Sequence, residues 1–177
     1  MDGMGKKVIL YIAMSLDGFI ARKNGSVDFL DLYNESGEDF GYNEFYKSIG
    51  TIVMGNTTYK QVGASKEFEE YYKDKSIFVF SRKTKDDKKN ITFVNENVKE
   101  FVKTIKNDTW MLGGASIFNE FLKNNLVDEF IITIIPILLG EGIPLFKEYG
   151  VEKKLILVNT KSYSSGVVQV HYKYSPY

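Results

Sequence analysis

Apolar residues in this chain gather into short continuous runs, and between the runs they recur every three or four positions. The runs Lys7–Ala13, Thr51–Met54, Ser76–Phe80, Ile91–Val94, Thr109–Leu112, Val127–Pro136, Leu155–Thr160 and Val167–Tyr174 predict strands. Several, such as Thr51-Ile52-Val53-Met54, show no alternation, the mark of strands covered on both sheet faces. The covering elements are legible as well. Tyr42, Phe45, Tyr46 and Ile49 fall at helical spacing, as do Val98, Phe101, Val102 and Ile105, and then Ile117, Phe118, Phe121 and Leu122. Strands alternating with helices predict an α/β domain around a mainly parallel sheet. The end differs: the last two strands flank Tyr163-Ser164-Ser165-Gly166 with no room for a helix, and so predict an antiparallel hairpin. Within the last strand Gln169, His171 and Lys173 alternate with valines and tyrosines, which places them on an outward polar face. Trp110, inside an apolar run, reads as core.

Composition narrows the function classes. A length of 177 residues with 44% hydrophobic content and 3 prolines fits one folded domain. Residues 6–177 form that domain, and Met1–Gly5 reads as a leader or cloning remnant. The net charge of +0 offers no footprint for nucleic acid or an anionic membrane. Zero cysteines exclude disulfides and thiolate chemistry, and a single histidine excludes a multi-histidine metal site, so no metal is expected. Val8–Met14 and Phe130–Leu139 fall well short of the ~20 residues that span a bilayer. Val8–Met14 follows two lysines as a signal peptide would, but Asp17 interrupts it, so the expectation is a cytoplasmic protein. Asp86–Asn90 reads as a solvated loop.

The chemistry concentrates at strand ends. Met111-Leu112-Gly113-Gly114-Ala115-Ser116-Ile117-Phe118 runs from a strand through two glycines straight into an amphipathic helix. Adjacent residues without Cβ let a ligand lie on the backbone, where the unpaired N–H groups of a new helix suit an anion such as a diphosphate. The pattern is neither G-x-G-x-x-G nor a Walker loop. Met54-Gly55-Asn56-Thr57-Thr58 repeats the arrangement at a second strand end, and Phe80-Ser81-Arg82-Lys83 brings a hydroxyl and a guanidinium to a third. For either glycine junction taken singly, connection chemistry with a Ser or Thr cap is an equal alternative. Together the three favour phosphate binding at the carboxyl ends of an open sheet. Asp39, ahead of the helix that carries Tyr42 and Phe45, reads first as an N-cap, with Glu35, Glu38 and Glu44 close by.

Ala13-Met14-Ser15-Leu16-Asp17-Gly18-Phe19-Ile20-Ala21 resembles the first strand and following loop of the dihydrofolate reductase-like superfamily, in the branch of the C-terminal reductase domain of bifunctional riboflavin-biosynthesis enzymes. Met54–Tyr59, Phe80–Arg82, Leu112–Phe118 and Leu139-Gly140-Glu141-Gly142-Ile143-Pro144-Leu145-Phe146 follow in that family's order, so the likeness runs from about Val8 to Tyr174. It implies a three-layer fold with a mixed, mainly parallel eight-stranded sheet, flanking helices and a C-terminal antiparallel hairpin. NADPH would lie across the strand ends. Ala13 would meet the nicotinamide through its backbone, Gly55-Asn56-Thr57-Thr58 and Gly113-Gly114-Ala115-Ser116-Ile117 would hold the diphosphate, and Ser81-Arg82 the adenosine 2′-phosphate. A cis peptide between Gly113 and Gly114 is implied too.

The same resemblance implies an oxidoreductase that moves hydride to a small heterocycle, like a 5-amino-6-(5-phosphoribosylamino)uracil reductase of riboflavin biosynthesis or a dihydrofolate reductase. It assigns Asp39 and Thr133 to catalysis, Asp17 and Phe40 to the substrate side, and a homodimer as the assembly. A carboxylate at Asp39 between Phe40 and Tyr42 would have a raised pKa and donate the proton. Departures limit the transfer. The region 35–49 is acidic and aromatic, with Lys47 its one basic residue, where riboflavin-pathway reductases carry basic residues for a phosphorylated sugar; Arg22 lies before it. Val27-Asp28-Phe29 stands where dihydrofolate reductases have Pro-Trp. The alternative is a catalytically silent nucleotide-binding or sensor protein that retains the NADPH cleft.

Overall fold

Each predicted strand forms, and all of them join one sheet. The computed structural model describes residues 6–34, 36–63, 65–83, 88–148, 150 and 152–175. Met1–Gly5 and part of the hydrophilic 86–90 stretch lie outside these. The elements in chain order are β1 (Val8–Ser15), β2 (Phe19–Ala21), a 3-10 turn (Asp28–Leu30), α1 (Asp31–Asn34), α2 (Tyr42–Ser48), β3 (Thr51–Gly55), α3 (Asn56–Thr58), a π turn (Tyr59–Gly63) and α4 (Lys66–Tyr71). Then follow β4 (Ser76–Phe80), β5 (Ile91–Val94), α5 (Val98–Thr104), β6 (Thr109–Gly113), α6 (Ala115–Lys123), β7 (Glu129–Ile135), β8 (Ile143–Pro144), β9 (Leu155–Ser162) and β10 (Val168–Tyr174).

The 8-stranded sheet has the order β5-β4-β3-β6-β1-β7-β10-β9. Neighbours from β5 to β7 are parallel, and β10 runs antiparallel to both β7 and β9. The hairpin turn closes through the Tyr163 N–H to the Val167 carbonyl at 2.9 Å, with Gly166 at φ 85 supplying the left-handed step. The β2–β8 ribbon was not foreseen, because its strands are too short to show a period.

Helices cover both faces, as the unalternating strands require. On one face Ile9, Ile52, Met54, Ile77, Val79 and Trp110 pack under Phe45 and Ile49 of the α2 segment and Phe68 of α4. On the other, Val8, Leu10, Val53, Met111, Phe130 and Ile132 meet Val98 and Phe101 of α5 and Phe118, Phe121 and Leu122 of α6. Phe101, Phe118 and Phe121 are fully buried, each contributing ~1.5–3 kcal/mol of burial free energy. Trp110 is core, its indole N–H donating to the Tyr11 carbonyl at 2.9 Å.

The alternation read in β10 holds: Val170, Tyr172 and Tyr174 pack on the core, while Gln169, His171 and Lys173 take the other face, Lys173 exposed and the other two half-buried. β9, not β10, forms the sheet edge, and Gln169 and His171 lie beside Thr133 and Ile131 of β7. His171 Nε2 meets Glu129 Oε2 at 2.8 Å. Burial pushes the Glu129 carboxyl up, but hydrogen bonds from Lys7 and His171 outweigh it and hold the group below its ordinary range. Among the described residues no helix is long and apolar enough to cross a membrane.

Candidate functional site

A cleft of about 1210 Å³ opens over the carboxyl ends of β1, β3, β4 and β6. The two glycine junctions form its floor. Gly55 caps α3 and Gly114 caps α6, and neither receives a side-chain cap bond. The Ser or Thr cap considered from sequence is therefore not what these junctions are built for. A Cβ on Gly114 would stand 3.0 Å from Thr58 Oγ1, and one on Gly55 would stand 3.6 Å from Ile117 Cγ2. At Gly114 the missing Cβ permits the close approach of the two strand–helix junctions, whereas at Gly55 a Cβ would make ordinary contact. Gly113 sits at φ 125, and the Gly113–Gly114 peptide is cis, as the resemblance implies.

Asn56, Thr57, Thr58, Ala115, Ser116 and Ile117 line this floor, and Ala13 lines the adjoining wall beyond β1. Ser81 and Arg82 line the rim after β4. Ser81 is buried, its hydroxyl donating to the Lys83 carbonyl at 3.0 Å, so it shapes the turn that carries Arg82 and Lys83. Lys60 and Lys147 also enter the wall, and sequence reasoning missed both. Lys60 follows the second glycine junction directly, a signal that was available. Lys147 was not findable locally. Asn119 places it, accepting the Lys147 N–H at 3.0 Å while donating to the Leu145 carbonyl at 2.8 Å, and Lys147 Nζ ends 3.5 Å from Ser116 Oγ. A backbone cradle without Cβ, ringed by Lys60, Arg82, Lys83 and Lys147, fits a phosphate-bearing dinucleotide.

The substrate-side assignments fare differently. Asp17 does not line the cleft. Its carboxylate accepts from the Ser15 hydroxyl at 2.6 Å and from the Leu139 and Gly140 N–H groups at 3.1 and 2.7 Å. The Ser15 bond and the two backbone amides hold it below the usual carboxylate range. It latches two loops together.

For Asp39 the expected burial and raised pKa are corrected. It is exposed, not buried between rings, and its carboxylate accepts the Gly41 and Asn43 N–H groups at 2.9 and 3.2 Å. Those bonds lower its pKa instead of raising it. The N-cap of α2 is Gly41, not Asp39 as local sequence first suggested; the Asp39 carboxylate closes the turn just ahead of the helix and reaches one amide of its first turn, that of Asn43. Phe40 beside it adopts φ 51, a left-handed conformation uncommon outside glycine, and packs edge-on to Tyr163 at 4.8 Å. Its carbonyl accepts from Tyr11 Oη at 3.0 Å and Gln169 Nε2 at 2.9 Å. The same Gln169 amide donates to Thr133 Oγ1 at 2.9 Å. Thr133 is buried and in register with Ala13, so structure brings Ala13, Thr133, Gln169 and Phe40 together and leaves the Asp39 carboxylate outside. Burial pushes the Tyr11 phenol up to about 12, despite an opposing hydrogen bond from Gln169.

An open α/β sheet with glycine junctions at its strand ends and an antiparallel C-terminal strand pair defines the dihydrofolate reductase-like class. Within it, the chain belongs to the RibD C-terminal domain family, whose sequence profile matches residues 6–169. It is 41% identical to the uncharacterised protein YwjB of Bacillus subtilis (strain 168) over 96% of this chain and 98% of that one. Among solved structures, a Shewanella sp. PV-4 protein ascribed to riboflavin biosynthesis superposes with a TM-score of 0.82 at 28% identity, covering 96% of this chain and 99% of that one. Dihydrofolate reductase from Enterococcus faecalis, solved with NADP(H), superposes with a TM-score of 0.63 at 15% identity, covering 96% of each chain.

Proposed function

We propose that this protein is an NADPH-dependent reductase of a small heterocycle, pyrimidine- or pterin-like. The observation that carries the reading is the convergence of two glycine junctions, neither capped by a side chain, and the Ser81–Arg82 rim on one cleft. Bound there, the cofactor supplies hydride to a C=N or C=O carbon. The chain's own part is positional. The junctions at Gly55 and Gly114 present backbone to the diphosphate, Arg82 takes the 2′-phosphate, and Ala13 orients the nicotinamide. The Asp39–Phe40–Gly41 turn, held by Tyr11 and Gln169, closes the substrate side above Thr133. Asp39 acts by fixing that turn, and the proton comes from water.

Energy transfer from Trp110 to the reduced nicotinamide tests the reading in parallel titrations with NADPH and NADH. Charged hydrogen bonds worth about 1.5–3 kcal/mol predict at least a tenfold preference for NADPH, lost in Arg82→Ala. Equal affinities, or no binding, would overturn it. A second reading, a silent nucleotide-binding sensor, draws support from the carboxylates in the described cleft wall. Both, Glu96 and Glu120, sit at the phosphate end, away from Ala13. Tight NADPH binding without oxidation across dihydropterins and aminopyrimidine ribosides would favour it. We further propose that the protein works as a homodimer in the cytoplasm, two copies meeting through β9.

A further inference from the structure

We infer that Lys147 is a cation for the cofactor's diphosphate and that Asn119 is the residue that positions it. This rests on the reductase reading above. The motif Leu139–Phe146 leads directly into Lys147, and the structure makes it the arm that carries this lysine to the cleft wall.

The arm is anchored step by step. Gly142 crosses β2 at contact: a Cβ there, at φ 155, would stand 2.4 Å from the Ala21 carbonyl oxygen. Ile143 and Pro144 then pair with Ala21 and Phe19. Leu145 is fully buried, and its N–H reaches the Gly18 carbonyl at 2.9 Å. Phe146 packs edge-on to Phe118 of α6 at 5.7 Å. Asn119 on the same helix closes the arm. Its Nδ2 donates to the Ala115 and Leu145 carbonyls at 2.7 and 2.8 Å, and its Oδ1 accepts the Lys147 N–H at 3.0 Å. One side chain thus joins the first turn of α6 to the backbone of Lys147, so the lysine reaches out from a fixed base.

What the arm presents is a cation without a countercharge. Lys147 Nζ ends 3.5 Å from Ser116 Oγ, a long contact that leaves ammonium donors open. Among the described residues no carboxylate lies within ion-pair reach of it. Glu120, one turn along α6, receives Asn124 Nδ2 on its Oε1 at 3.1 Å. A lysine beside the first turn of a helix is repelled by the helix dipole, so this placement costs stability in the free protein. An anion at the same spot reverses the sign, because it meets the ammonium, the Ser116 hydroxyl and the backbone of the Gly114 junction together. The Gly55 junction adjoins, since a Cβ on Gly114 would stand 3.0 Å from Thr58 Oγ1, and two linked phosphates would find one junction each. The Ser81–Arg82 rim follows β4, two strands away along the sheet from β6. Lys147 therefore serves the part of the cofactor that NADPH and NADH share.

The test measures NADPH and NADH affinity, by energy transfer from Trp110, in Lys147→Gln, Asn119→Leu and the double variant. Lys147→Gln should weaken both nucleotides by about tenfold or more and leave their ratio unchanged, whereas Lys147→Arg should keep the native affinities. Asn119→Leu should weaken both as well and add nothing in the Lys147→Gln background, the mark of a residue that acts through the lysine. Unchanged affinity in Lys147→Gln, or a loss confined to NADPH, would overturn the inference, and additive losses in the double variant would remove Asn119 from it. Should neither nucleotide bind the native protein, the reductase reading falls, and a titration with inorganic pyrophosphate decides the anion seat by itself. Saturable amide shifts at Ser116 and Ile117, abolished in Lys147→Gln, support the seat, and their absence refutes it.

Discussion

Phe40 and its neighbours show how one residue's chemistry depends on what the fold places around it. Asp39 carries the same carboxylate that a buried proton donor would, but the Gly41 amide ahead of α2 and the Asn43 amide in its first turn claim it, and solvent surrounds it. Its folded pKa lies below the ordinary aspartate value of 3.8, so its contribution to stability is fully present above that value and is lost as pH falls through the lowered pKa. Asp39→Ala should therefore cost about 0.5–2 kcal/mol of unfolding free energy at neutral pH, measured by urea denaturation. Asp39→Asn should retain most of these hydrogen bonds and lose their acid dependence. NADPH affinity should be unchanged in both, and a large loss of affinity would return Asp39 to the cofactor site. From local sequence a helix start near Asp39 was readable, although the N-cap itself is Gly41. The partners of Phe40 were not, because Gln169 stands 129 positions away in the chain.

At the scale of elements, the Ser15-Leu16-Asp17-Gly18 segment works as a latch. Besides the Asp17 bonds, the Leu16 N–H reaches the Ile137 carbonyl at 2.9 Å and the Leu145 N–H the Gly18 carbonyl at 2.9 Å. The β1–β2 and β7–β8 connections thus move as one piece beside the cleft. Asp17→Ala should speed amide exchange at Leu139 and Gly140 by about tenfold, the loss expected for hydrogen bonds to a charged group. Exchange at Trp110 and Met111, in the central β6, should stay unaffected. Unchanged exchange at Gly140 would mean that the β2–β8 ribbon alone holds the loops. The motif stands out in the sequence as a motif, but its role does not, since the amides it binds are backbone groups that no residue type announces.

At the scale of the whole molecule, the sheet ends on an open edge. Leu155, Ile156, Leu157 and Val158 of β9 are 41%, 41%, 50% and 47% exposed. A long apolar edge strand offers unpaired backbone groups together with apolar area, a template for another strand. A dimer paired through β9 covers both at once. Light scattering on the eluting protein should give twice the chain mass for the native sequence and a monomer for Leu157→Lys. A native monomer would remove the dimer from the proposal. Retention of the dimer by the variant would move the interface elsewhere.

What the sequence determined by itself is the eight strands of the main sheet, the three amphipathic helices and the two glycine junctions, because periodicity, β-branched runs and glycines act within a few residues of one another. The junctions floor the cleft, and each was legible because it is built from contiguous backbone. Tertiary structure decided the rest. It tied Asp17 to the backbone of a distant loop and Asp39 to the turn ahead of α2, and it brought Lys147 into the cleft through Asn119. It also gathered Tyr11, Phe40, Thr133 and Gln169 into one hydrogen-bonded group. Each of those outcomes depends on which distant backbone or side chain satisfies a polar group, and local spacing carries no record of that partner.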